Sequence, residues 1–248
     1  MNSFESLFTS FGKCTKCRQM IPEIGNLNED QFKFHWRPYL RGMPPLHFVF
    51  LGWEPSWPTW QVNSEAEGGF NEPLQFAIRK FLASNVSEVR FLITNMAQCS
   101  MKTGKLCSST REARFSACSD FLKKAVQLAV DETRREPTRI VAIGWQPLLF
   151  LKNHPRLLQD ILHGDKLHRI THYSPRCNPH FHRFATERNY EFHAFSEAMR
   201  SEYENFIKYG ESGEFANYWE HYAKPGQSER DLQRIFKWKY EFEDFRFA

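Results

Sequence analysis

The chain has 248 residues, 41% of them hydrophobic and 25% charged, with a net charge of +4. That balance excludes a disordered or fibrous chain and suffices for one α/β domain, or two small ones, with a real core. No apolar run reaches about 18 residues, so no helical membrane span is expected.

Met1 to Lys13 is mixed and polar without an apolar signal-peptide centre, and a reducing cytoplasm is the expected compartment. The six cysteines then read as ligands, core thiols or nucleophiles rather than disulfides. Cys14-Thr-Lys-Cys17 is a CxxC pair that could bind metal, run redox chemistry or be chance. Leu46–Gly52 is the first short apolar run with strand character, and Gly52-Trp53-Glu54-Pro55-Ser56 follows it. After Gly68-Gly69-Phe70-Asn71, a helix is predicted over Pro73–Ala83, opened by its proline.

The second strand is predicted over Val89–Met96, running on through Ala97-Gln98 to Cys99. Apolar residues at helical spacing predict a helix over Ser109–Val130, with Cys118 on it. A third strand spans Arg139–Trp145, short helices follow over Pro147–Leu151 and Arg156–Leu162, and a fourth strand covers Leu167–Ser174. Strands alternating with helices imply a three-layer α/β/α fold with a mainly parallel four-stranded sheet, whose ligands sit outside the carboxyl ends of the strands. From His180 to Ala248 the pattern turns helical and aromatic, with a turn at Pro225-Gly226, and reads as a helical C-terminal extension packed on a domain of residues 1–179.

Zinc ribbons repeat their CxxC pair at short range, whereas Cys99 and Cys118 are widely split and far downstream. A four-cysteine site assembled from distant parts suits an iron–sulfur cluster better; spacing alone leaves a metal site and unrelated thiols equally open. Cys107, in the same loop, could replace either partner, and Cys177 sits apart.

Taken in order, Gly52-Trp53-Glu54-Pro55, Phe70, Ile93-Thr94-Asn95 with Cys99, and His172-Tyr173-Ser174-Pro175 resemble the motifs of the uracil-DNA glycosylase superfamily, in its iron–sulfur branch. The resemblance covers about Ser6 to Pro179 and implies a [4Fe–4S] cluster on Cys14, Cys17, Cys99 and Cys118. It also implies a monofunctional enzyme that flips a uracil or modified pyrimidine out of DNA and hydrolyses its glycosidic bond. Phe70 would stack the base, Asn95 read its edge, and His172 donate to the base oxygen that gains charge. Glu54 would orient water or oppose the oxocarbenium charge, although the branch carries its glutamate where this chain has Trp53. Ser56 and Ser174 would grip phosphates, and Arg176 follows the closing loop where a residue fills the vacated stack.

The bulk numbers agree with such a partner without requiring it. Aromatics reach 16%, with 24 Phe, and serve either core or nucleobase stacking. No lysine is placed at a strand end for Schiff-base chemistry, and a monomer is expected. The small Ser56 beside a loop rich in Trp and polar residues leaves room for a C5-substituted base, so a phage-defence glycosylase acting on hypermodified bases is the main variant reading. A non-catalytic cluster- or zinc-bearing DNA-binding module is the reading from another class. A covalent uracil-capturing relative is disfavoured, because Lys102–Ala117 contains no histidine.

Overall fold

A strand buried on both faces reads as a continuous apolar run, and Leu46–Gly52 (LHFVFLG) is one. In the computed structural model, Phe48, Val49, Phe50 and Leu51 of this strand are all buried. The structure describes residues 14–25, 32–34, 39–41, 46–53, 72–82, 90–97, 99–101, 108–129, 139–156, 159, 167–172, 175–209 and 226–244. By contacts the chain divides into two units, one of Met1–Glu65 with Glu88–Arg169, the other of Ala66–Ser87 with Ile170–Ala248. The division drawn from the sequence, 1–179 and 180–248, sets its boundary where the pattern turns helical and aromatic.

The first unit begins with α1 (Lys16–Met20) and α2 (Pro22–Gly25), then β1 (Phe32–Phe34), β2 (Tyr39–Arg41) and β3 (Leu46–Gly52). It continues with β4 (Arg90–Asn95), β5 (Cys99–Met101), α4 (Ser108–Ala129), β6 (Arg139–Ile143), α5 (Trp145–Asn153) and β7 (Leu167–Ile170). The label α3 belongs to Glu72–Ala77 in the second unit. The main sheet runs β2-β4-β3-β6-β7. Strands β4, β3 and β6 pair in parallel, and the four predicted strands form the parallel part of the sheet. The short β2 adds an antiparallel edge, pairing Tyr39 with Ile93 and Arg41 with Phe91. β1 and β5 form a separate antiparallel pair, with Phe34 opposite Cys99.

Alternation along β3 sorts its side chains. Val49 and Leu51 join Leu92, Ile140, Phe115, Leu122, Val126, Phe150 and Leu151 in one core, where α4 and α5 cover the sheet. Phe48 and Phe50 point to the opposite face, and Phe50 meets Phe91 edge-on at 6.5 Å between centroids. Each fully buried side chain of this size contributes about 1.5–3 kcal/mol, so the core rather than local propensity holds these strands.

The second unit contains α3, which runs on as a π-helical turn (Ile78–Leu82), then a 3₁₀ turn (Pro175–Cys177), α6 (Asn178–Glu187), α7 (Asn189–Tyr209) and α8 (Gln227–Glu243). Helix α8 packs on α6, α3 and α7 through Leu232, Ile235, Phe236, Trp238 and Phe242, all buried. Trp238 meets Phe181 of α6 edge-on at 5.5 Å. Gly226, at the turn expected near Pro225-Gly226, caps α8 with φ 74°. The class is the α/β one expected: a mainly parallel sheet flanked by helices, with a helical C-terminal part. Among the described residues no helix is long and apolar enough to cross a membrane.

Candidate active site

Parallel strands that end together gather their carboxyl-terminal residues along one edge of a sheet. In the first unit this edge holds Gly52 at the end of β3 and, paired with it, Asn95 at the end of β4. Past the last ladder pair, the Met96 N–H donates to the Gly52 carbonyl at 2.8 Å and the Ala97 N–H to the Trp53 carbonyl at 2.9 Å. The strand ends are therefore stitched beyond the sheet proper. Asn95 is only 6% exposed, and its carboxamide oxygen lies where a Cβ on residue 52 would stand. Only glycine leaves room for that side chain. A carboxamide held this way offers a donor and an acceptor in one fixed plane.

The same edge carries two Trp–Arg stacks. Trp53 is half-buried, edge-on to Phe115 at 5.1 Å, with the Arg111 guanidinium 4.9 Å from its ring centre. Trp145 follows β6 across Gly144, whose φ of 97° turns the chain from strand into α5. It is 53% exposed, and the Arg169 guanidinium of β7 lies 5.2 Å from its ring centre. The predicted third strand therefore stops two residues short of Trp145, because Gly144 breaks it.

In the second unit, His172 is half-buried, and burial pushes its imidazole down to about 4. At neutral pH it is uncharged, with one N–H to donate and one nitrogen to accept. Its neighbour Thr171 is held by α8. The Thr171 N–H and hydroxyl donate to the two carboxylate oxygens of Glu241, at 2.8 and 2.6 Å, and the Trp238 indole N–H donates to the Thr171 carbonyl at 2.9 Å. The predicted fourth strand ends early, at Ile170, because these bonds satisfy the Thr171 backbone in place of a ladder. Arg176 is exposed on the 3₁₀ turn. Glu72 of α3 is half-buried, and burial above all pushes its carboxyl up to about 8, a backbone hydrogen bond opposing and the Asp231 carboxylate adding to the rise.

Two of the four expected cluster ligands converge. Cys17 of α1 and Cys118 of α4 are buried in one apolar group with Ile21 and Ile24. Cys14, three residues before Cys17 and just outside α1, is half-buried. Cys99 opens β5, and its side chain lies outside the described residues. Among the described residues no three His, Cys, Asp or Glu side chains gather as a metal site. Two buried thiols brought together from distant segments are a donor set that fits a thiolate-held cluster or zinc. Glu54, Ser56, Phe70, Cys107 and Ser174 lie outside the described residues.

Sequence reading missed Gly52 as the seat of the Asn95 carboxamide, and the grip of α8 on Thr171. The first carries no signal beyond a glycine at a strand end. The second had one: Gln227, Asp231, Arg234, Trp238 and Glu241 recur at the spacing of a single helix face. No family model, curated protein or solved structure matches the chain.

Proposed function

We propose that the chain is a monofunctional DNA glycosylase that hydrolyses the glycosidic bond of a uracil or modified pyrimidine and leaves an abasic site. The observation that carries this reading is the Asn95 carboxamide, fixed against Gly52 at the carboxyl edge of the parallel sheet. A pyrimidine edge needs a coplanar donor and acceptor, and a rigid carboxamide supplies both. The reaction also needs a donor to the base oxygen that gains negative charge. The lowered pKa of His172 keeps it neutral across the physiological range, with one ring N–H left to donate. Extrusion of the base costs a few kcal/mol and brings the sugar within reach of water.

The roles of Phe70 as stacking face, Glu54 as partner of water or of the oxocarbenium, and Ser56, Ser174 and Arg176 as DNA contacts rest on the motif resemblance. A [4Fe–4S] cluster on Cys14, Cys17, Cys99 and Cys118 would tie separate segments together, a structural task. Of these four, Cys17 and Cys118 lie buried in one apolar group, which supports the reading. The test is a panel of labelled oligonucleotides bearing uracil, thymine mispairs, 5-hydroxymethylcytosine and its glucosylated forms, each followed by alkali. Cleavage at uracil assigns a repair enzyme, and cleavage only at a bulky C5-modified base assigns a defence enzyme. A folded, coloured protein that cuts none of them but binds DNA is the non-catalytic module instead.

A further inference from the structure

Helix α8 carries a polar face whose members reach both ends of the segment that bears His172. At the upstream end, Glu241 binds the Thr171 N–H and hydroxyl, and Trp238 binds its carbonyl. At the downstream end, an Arg234 Nη2–H donates to Oδ1 of Asn178, the first residue of α6, at 2.8 Å. Arg234 is itself held, since Nη1 donates to Oδ1 of Asp231 at 3.3 Å. Asp231 is fully buried and also accepts from Gln227 Nε2 at 2.8 Å and from the Tyr203 hydroxyl at 3.1 Å. Lys237 lies 3.2 Å from the Glu241 carboxylate, one turn earlier on the same helix.

A helix that only covered a core would need apolar residues at these positions. Burying a charged or polar group is unfavourable unless its bonds are met. Here Glu241 and Trp238 meet theirs at Thr171 and Arg234 one of its own at Asn178, while Asp231 is met by Gln227, Tyr203 and Arg234. Three direct bonds to a single residue, Thr171, fix its backbone at both polar atoms, and His172 is the next residue. We propose that α8 is a loop clamp, and that Glu241, Trp238 and Arg234 are positioning residues that set His172 and the turn after it for base excision. The inference rests on the reading of His172 as the donor to the departing base. A displacement of about 1 Å in such a donor lowers the rate by roughly a hundredfold.

The test uses the full chain with Glu241→Gln, Thr171→Val and Thr171→Ser. Expected is a fall of tenfold or more in single-turnover excision per folded molecule for E241Q and T171V, with little change in DNA affinity. T171S restores the hydroxyl and recovers the rate. The His172 ring signal in NMR should shift in the two impaired variants, and its titration should move from about 4 toward the ordinary 6.5. Variants that lose thermal stability but keep the wild-type rate and an unchanged His172 signal would overturn the clamp. A wild-type protein that excises nothing sinks the excision reading alone, because the His172 signal in E241Q still decides whether α8 sets that residue.

Discussion

Gly52 and Asn95 end adjacent parallel strands, and the Asn95 carboxamide oxygen occupies the space that a Cβ on residue 52 would need. Gly52→Ala must therefore push the Asn95 side chain aside, while the backbone bonds from Met96 and Ala97 hold the strand ends in place. Excision should fall by about 10²–10³, as for loss of one fixed hydrogen-bonding group, and Asn95→Ala should match it. Overpacking of this kind destabilises by about 1–3 kcal/mol, so the variant remains folded. Single-turnover assays beside thermal melts check this; a G52A protein at wild-type rate removes Asn95 from the base-reading role.

His172→Ala should reduce excision by about 10²–10³ through loss of the donor. Because the imidazole is neutral down to about pH 4, its protonation produces no acid limb in the rate between pH 5 and 8. A rate profile whose acid limb near pH 6.5 disappears in H172A would contradict that neutral state.

Stability should depend on pH through two opposed groups. The unfolded Glu72 carboxyl ionises near 4.5 but the folded one near 8, so across that window the folded state holds more protons and stability falls as pH rises. For His172 the unfolded state takes a proton near 6.5 and the folded state only near 4, so across that window stability rises with pH. The two oppose each other from about 4.5 to 6.5, and only the Glu72 contribution remains from 6.5 to 8. Thermal midpoints should decline over that upper interval in the wild type and not in Glu72→Gln. Equal slopes in the two proteins would show that Glu72 is not the group responsible.

Trp145 is exposed beside Arg169 on the edge that holds Asn95, and indole faces stack nucleobases at about 1–3 kcal/mol each. Trp145→Ala should weaken single-stranded DNA binding by about tenfold. Arg169→Gln should reduce the salt dependence of binding by roughly one unit of slope. Fluorescence anisotropy at several salt concentrations measures both; unchanged affinity in W145A rules the ring out as a DNA contact.

Cys17→Ser and Cys118→Ser should each abolish the yellow-brown colour and the absorbance near ~400 nm expected of a thiolate-bound cluster. They should also lower the melting temperature, since both positions are buried in one apolar group. Iron and zinc content of the purified wild type decides between the two metals, and a colourless, metal-free wild type makes these cysteines plain core thiols.

The parallel strands were legible because burial on both faces leaves an unbroken apolar run, as in Phe48 to Leu51. Strand β2 was not, since three residues at an edge make no pattern and owe their place to pairing with β4. Strand β6 ends two residues before the predicted Trp145, at the turn of Gly144, and β7 stops at Ile170, short of Thr171 and His172, through the capture of Thr171 by α8. Asn95 could be named from its motif, but what orients it is a missing side chain on another strand. Spacing alone leaves Cys17 and Cys118 equally open as ligands or as unrelated thiols; their meeting depends on how α1 lies on α4.

The grip of Glu241 on Thr171 spans 70 residues of sequence, and this has a bearing on biosynthesis. A ribosome adding roughly 5–20 residues per second needs about 4–14 s to travel that distance. Throughout that interval the histidine segment has been made and the helix that holds it has not. The nascent chain therefore lacks this hold on Thr171 until α8 emerges, and a product that stopped before Gln227 would carry His172 without it.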